Sequence, residues 1–324
     1  MASIRRRGKG WQAQVFKLGV RKSASFRTKA EASAWSAKTE LEIQTLQAGQ
    51  VPDYPFSKAL ERYRDEVSVS KRGSRRESIR IDFLLKDPLA AVPLPLLGAG
   101  HFATWRDRRL REVSAASVLR DWGLLNHVVT VAINEWGWLK ENPLKGVRKP
   151  KAPLPRDRRI SQLEIDKLLL AFGYIQGQPP RATTARVGAA FLFAIETAMR
   201  AGEICSLQWA NIEGPVAHLP ITKNGFPRSV PLSPGAIKIL ESLPRDTAMV
   251  FNLQPSQLDA LFRKARARAL IDDLHFHDTR HEAITRLARK LDVLDLARMV
   301  GIRDLRILMV YYNAQPDEIA RRLG

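Results

Sequence analysis

The sequence predicts a multidomain, mainly α-helical protein with small β elements. It divides into an N-terminal β-sheet-plus-helix module, a helical domain and a C-terminal α+β domain. Three observations predict this. The chain has 324 residues, 45% of them apolar, enough for two or three domains that each bury a core. Apolar residues recur at helical spacing through the middle and the end of the chain, while strand-like alternation is confined to short stretches. A Pro-rich basic stretch, 148–159, interrupts the pattern as a linker does.

Residues 1–50 form the first module. Trp11 to Phe16 alternate with period two, Lys17-Leu18-Gly19 offers a turn, and Lys22 to Phe26 reads as the returning strand. From Thr28 onward Ala30, Ala32, Ala34, Trp35, Lys38, Leu41 and Ile43 mark a helix. Up to Lys29 the chain has nine Lys or Arg and no acid, which suits a sheet that meets a polyanion through Arg5, Arg6, Arg7 and Lys9. The helical domain spans 54–147. Phe56, Leu60, Tyr63 and Val67 sit at helical spacing, a Pro/Leu/Gly loop covers 88–100, and further helices are expected over Thr104 to Arg111 and Ala115 to Trp138. The cluster Trp136-Gly137-Trp138-Leu139 reads as core. In the linker, Arg148, Lys149, Lys151, Arg156, Arg158 and Arg159 stand against the single acid Asp157, as expected of a strand crossing a phosphate backbone. The last domain runs over 160–324.

The net charge of +20 points to a polyanionic partner, and DNA or RNA fits better than a membrane, since no long apolar span is present. The N-terminus is basic without an apolar stretch behind it, so a signal peptide is not expected. Cys205 is the only cysteine, which excludes an internal disulfide and a multi-cysteine zinc site. A cytoplasmic, nucleoid-associated protein follows.

Four patches in the last domain carry chemistry-bearing residues. An apolar helix, Val187 to Ile195, runs into Thr197-Ala198-Met199-Arg200-Ala201-Gly202-Glu203. Alone, Arg200 and Glu203 would be a surface ion pair. Leu219 to Thr222 and Arg228 to Leu232 flank Asn224-Gly225, a hairpin signal that puts Lys223 at a strand end. Next come His275, His277, Arg280 and His281, three histidines within seven residues; they lack a His-Glu-x-x-His pattern or a cysteine partner, so no metal is expected. Finally Gly301 reads as a helix C-cap, followed by a helix with Leu305, Leu308 and Met309 as its apolar stripe and Tyr311-Tyr312 at its end.

Each patch is weak by itself, but their order resembles the tyrosine recombinases, the family of phage integrases and chromosome-dimer resolvases. Its signature is an Arg in a Thr-x-x-Arg-x-x-Glu setting, a hairpin Lys, His-x-x-Arg, then Gly-His/Trp and a Tyr nine residues after that His/Trp. Arg200, Lys223, His277, Arg280 and Tyr311 match, and the resemblance covers the whole last domain. Glu196–Arg200 and His275–His281 are similar to the shufflon-type DNA invertases. The upstream modules resemble the family's arm-binding and core-binding domains. One position departs: Ile302 stands where the family has a hydrogen-bond donor. Weakened cleavage, or a donor supplied by His281, would follow.

The resemblance implies a DNA strand-exchange enzyme without cofactor or metal. Tyr311 would attack the phosphorus, His277 assist its deprotonation, Arg200 and Arg280 hold the phosphate, and Lys223 protonate the leaving 5′-oxygen, with Glu203 orienting the arginines. The partners would be a double-stranded recombination site and further protomers in a synaptic tetramer, coupled by a C-terminal helix over 316–324. Two other readings share part of the pattern: a catalytically weakened homologue acting as a DNA-binding regulator, and a type IB topoisomerase.

Overall fold

The computed structural model describes residues 2–8, 10–17, 20–47, 51–154, 156, 158–220 and 227–312. It separates into two compact units, Met1–Leu154 and Pro155–Gly324, with the division inside the Pro-rich basic stretch.

In the first unit, β1 (Ala2–Arg7), β2 (Gly10–Lys17) and β3 (Val20–Phe26) form an antiparallel sheet in that order. The register pairs Ile4 with Ala13, Ala13 with Ala24 and Trp11 with Phe26, so the small and apolar side chains share one face. β1 is an addition to the two strands expected. Its sequence, dominated by Arg5, Arg6 and Arg7, carries no apolar alternation that would announce a strand. Helix α1 (Lys29–Gln47) packs on this sheet. It opens with a reciprocal cap: the Thr28 amide donates to the Glu31 carboxylate, and the Glu31 amide donates to the Thr28 hydroxyl. Its buried stripe is Ala32, Ser36, Thr39 and Ile43, whereas Leu41 is 66% exposed. The expected stripe followed hydrophobicity, and the real one follows the i, i+4, i+7 geometry with two hydroxyl residues in it.

The helical part comprises α2 (Phe56–Arg62), α3 (Ser74–Leu84), α4 (Ala99–Glu112) and α5 (Ala115–Asn134). Phe56, Leu60 and Tyr63 are fully buried, and the chain passes through a π turn, Tyr63–Val67, directly after α2. The loop after α3 is not loose, because two 3-10 turns direct Leu89, Leu94 and Leu97 into the core. Trp136 and Leu139 are buried as expected, and the Arg62 guanidinium lies 4.6 Å from the Trp136 ring centre and 5.0 Å from that of Trp138.

The second unit is built around α7 (Thr183–Thr197), which is buried on nearly every side. Gly188 permits this, since a Cβ there would stand 2.6 Å from the Cβ of Tyr174. Around it lie α6 (Gln162–Phe172), α8 (Ala201–Cys205), α9 (Pro234–Ser242), α10 (Pro255–Arg268), α11 (Asp278–Leu287), α12 (Val293–Val300) and α13 (Arg306–Met309). A small antiparallel sheet, β4 (Ile212–Glu213), β5 (Val216–Leu219) and β6 (Arg228–Pro231), completes the unit. Phe172, Phe191, Phe262 and Phe276 form a chain of ring contacts at 5.6–6.2 Å. Such pairs contribute roughly 0.5–1.5 kcal/mol each beyond burial. The last of them, Phe276, anchors the turn that carries His277.

Two expectations for the C-terminal region are corrected. Helix α13 is a single turn, and of the expected stripe only Leu308 is buried; Met309 is 65% exposed and Leu305 38%. The tyrosines therefore follow the helix in a turn, with the Tyr311 amide donating to the Leu308 carbonyl at 2.9 Å. The expected helix over 316–324 lies outside the described residues.

Candidate active site

Helix α7 ends in a tight turn that sets the first arginine. The Thr197 hydroxyl donates back to the Phe193 carbonyl at 2.6 Å and accepts the Met199 amide. Ala198 takes a left-handed conformation with φ of 55°. Arg200 then caps α8, and Glu203 folds back onto it: the Arg200 amide donates to the carboxylate at 2.8 Å and the guanidinium at 2.9 Å. A second guanidinium reaches the same carboxylate. Arg228, at the start of β6, donates to both oxygens of Glu203 at 2.7 Å and to the Met299 carbonyl at 3.0 Å. The Glu203 and Arg228 side chains are each 7% exposed. Burial alone would raise the Glu203 carboxyl, but the hydrogen bonds and charges of Arg228 and Arg200 outweigh it and hold it at about 2.

Arg280 enters from α11. Its guanidinium donates to the Ala198 carbonyl and to the Val300 carbonyl, the latter at 2.6 Å. It thereby ties the end of α7 to the end of α12. Burial, followed by the positive charges of Arg200 and Arg228, lowers Arg280 to about 9, with Glu203 and Tyr311 pulling the opposite way. Arg200, Arg228, Glu203, Arg280 and Tyr311 thus lie within one electrostatic neighbourhood. Two guanidiniums bond to the Glu203 carboxylate and Arg280 lies in the same field, so the cluster carries surplus positive charge suited to a phosphate.

The His281 ring lies against the Tyr311 ring, with centroids 5.0 Å apart. His277 is exposed at the N-terminal end of α11. Tyr312 is engaged differently: its hydroxyl donates to the Leu291 carbonyl at 2.9 Å, and burial pushes its phenol up. Gly301 is the C-cap of α12 with φ of 68°, and a Cβ there would meet the Arg228 side chain at 3.0 Å. Ile302 packs beside the apolar cluster of Ala198, Ala283, Leu296, Val300 and Leu308.

Lys223 and its hairpin tip, 221–226, lie outside the described residues, as does Lys9; the flanking strands pair Leu219 with Arg228. On β1, Arg5 and Arg7 share one face of the strand and Arg6 the other. Arg7 donates to Gln12 at 3.2 Å. Arg148, Lys149 and Lys151 are exposed. Arg156, Arg158 and Arg159 make ion pairs with carboxylates of their own unit: Asp273 and Asp278, Glu164, and Glu282. Among the described residues no three His, Cys, Asp or Glu side chains gather as a metal-holding group, and no helix is long and apolar enough to cross a membrane.

Arg228 belongs to this cluster without being part of the sequence pattern that announced it. Its signal was present: it alternates with the buried Val230 on a short strand, so a charged side chain had to point inward.

Comparison with known proteins agrees with this architecture. The phage integrase family matches residues 158–318. A Haemophilus influenzae protein named "Putative integrase/recombinase" is 46% identical across 98% of this chain and 88% of its own length. The shufflon-specific DNA recombinase of Escherichia coli is 35% identical over 83% of this chain and 71% of its own. Among solved structures, a lambda integrase dimer bound to a COC' core site aligns with a TM-score of 0.69 at 15% identity, covering 96% of this chain and 94% of that one. The Tn1549 transposon integrase, in complex with transposon right end DNA, aligns with a TM-score of 0.60 at 15% identity over 83% of this chain and 98% of its own. The fold is that of the lambda and Tn1549 integrases. The chain belongs to the phage integrase family.

Proposed function

We propose that the protein is a site-specific DNA recombinase that cuts and rejoins strands through a 3′-phosphotyrosine at Tyr311. The observation that carries this is the cluster of Arg200, Arg228 and Arg280 around Glu203, with Tyr311 in its field. Binding a duplex along its backbone would need none of these buried arginines, whereas stabilising charge on a phosphate during displacement uses fixed donors of this kind.

In this reading the scissile phosphate sits among the guanidiniums. Arg280 still has N–H groups to offer, because a guanidinium carries five and two carbonyls occupy part of the set. The phenol, which titrates near 10 in water, loses its proton as the Tyr311 oxygen bonds to phosphorus. His277 assists that transfer and Lys223 delivers a proton to the departing 5′-oxygen. Bond energy is stored in the phosphotyrosine, so the 5′-hydroxyl of another strand can reverse the step without a nucleotide cofactor. The duplex partner, the assembly of several protomers on it, and a place at the nucleoid belong to the same proposal. The weakened-regulator alternative keeps one argument, the missing donor at Ile302.

The test is a covalent-adduct gel on nicked duplexes drawn from the DNA around the gene. Tyr311→Phe should abolish the SDS-resistant band, and Tyr312→Phe should leave it measurable, since the Tyr312 hydroxyl is committed to Leu291. The reverse pattern would overturn the assignment.

A further inference from the structure

We propose that Arg156 and Arg159 are positioning residues for cleavage, a clasp that holds the active-site helix from behind, and not contacts to DNA. The inference rests on the recombinase reading above.

Helix α11 presents two opposite faces. Arg280 is about 200° around the helix from Asp278, at 100° per residue, and about 160° from Glu282, measured the other way round. The front face ties to the carbonyls of Ala198 and Val300 through Arg280. On the back face, the Asp278 and Glu282 side chains are 5% and 3% exposed. Buried carboxylates need partners, and the segment entering the unit supplies them. Arg156 grips Asp278 with two bonds, at 2.9 and 3.0 Å, and also holds the Asp273 carboxylate at 2.9 Å. Asp278 in turn accepts the His275 amide at 2.8 Å, which shapes the turn on which His277 stands. Arg159 grips Glu282 with two bonds, at 2.7 and 3.2 Å, and the neighbouring Ile160 amide adds a third at 3.2 Å. Arg286, one turn further along α11, closes the set at 2.7 Å.

Removing the clasp would have two effects on the front face. The turn and first helical turns that carry His277, Arg280 and His281 would lose their rear support. Asp278 would also lose its guanidinium and Glu282 one of its two, in the unit that concentrates positive charge on the phosphate. A conformational consequence follows as well: the basic segment that enters this unit is mechanically joined to the helix bearing the catalytic groups.

The experiment compares wild type with Arg156→Ala/Arg159→Ala and with the milder Arg159→Lys, which keeps the charge but loses the fork. Three quantities are measured on the full chain: affinity for a duplex across a salt series, the single-turnover rate of adduct formation by bound protein, and amide hydrogen exchange over 278–287. The clasp predicts unchanged affinity and salt dependence, with cleavage reduced on the order of 10–100-fold in the double variant and less in Arg159→Lys. It also predicts faster exchange confined to α11 and the preceding turn. If the arginines contact phosphates instead, the slope of log K against log salt shrinks by roughly 2 while bound protein cleaves normally and α11 exchanges as before; that result overturns the proposal. Should wild type form no adduct, the recombinase reading fails, while the exchange data still decide whether the clasp exists.

Discussion

Arg280 sits almost fully buried, hydrogen-bonded to two backbone carbonyls, with Arg200 and Arg228 near and Glu203 as the compensating charge. Its depressed value, about 9, still leaves it charged at neutral pH, and an anion entering the cluster would relieve the repulsion among the three guanidiniums. Glu203, held at about 2, stays ionised over the same range. Because its folded value lies below the ordinary carboxylate range, its contribution to stability is present above about pH 4.5 and is lost as pH falls through 2. Ile302 is the residue where the chain departs from the motif pattern it resembles. Its side chain fills the edge of an apolar cluster and donates nothing. Ile302→His should raise the single-turnover rate of adduct formation on the order of 100-fold or more, the usual worth of one transition-state donor. An unchanged rate would mean that another group, with His281 beside Tyr311 the nearest candidate, already serves. At this scale the order of motifs in the sequence singled out Arg200, His277, Arg280 and Tyr311, and the structure brings Arg200, Arg280 and Tyr311 into one neighbourhood. Arg228 stood outside that order, and its place is set by the fold, which brings a guanidinium from β6 onto the Glu203 carboxylate of α8.

Elements with strong local signals were legible, and those shaped by packing were not. The Trp11–Phe26 hairpin and the helices of the middle region follow from alternation and helical spacing. The first strand did not, because Arg5, Arg6 and Arg7 contribute no apolar periodicity and the strand forms by pairing with β2. Helix α13 fell short of its apolar run, since only Leu308 finds a core to enter. Helix α10 shows a different mismatch. It ends in a Schellman motif, with the Leu270 amide bonded to the Ala267 carbonyl and the Ile271 amide to that of Arg266, both at 3.1 Å. The left-handed position of that motif, usually glycine, is Leu270, with φ of 52° and 88% exposure. Leu270→Gly should therefore stabilise the protein by about 0.5–1 kcal/mol, because relieved backbone strain exceeds the added chain entropy. Urea unfolding should show a higher midpoint at an unchanged slope; a lower midpoint would mean that the Leu270 side chain contributes packing in the folded protein.

Across the whole molecule, the +20 charge is distributed over both units, and each unit buries its own apolar core. The division between them falls between exposed Lys151 and the ion-paired arginines that follow. Limited trypsin digestion should cut first after Lys151 and leave two folded fragments, since the Arg148 carbonyl is held by Arg106 at 2.7 Å and Arg159 by Glu282. Early cleavage between Arg158 and Arg159 would instead show that the clasp on α11 is open. The Pro-rich basic stretch marked a linker in the sequence, and the division into two units falls within it; the link itself was readable. What Arg156 and Arg159 do was not, because the carboxylates they meet lie more than a hundred residues away in sequence. Whether Tyr311 becomes covalently joined to a DNA 3′-phosphate, as proposed, is decided by mass spectrometry of the nuclease-trimmed adduct. Fragment ions should place a nucleotide 3′-phosphate on Tyr311. A nucleotide on Tyr312, or DNA bound tightly with no residue modified, would contradict it.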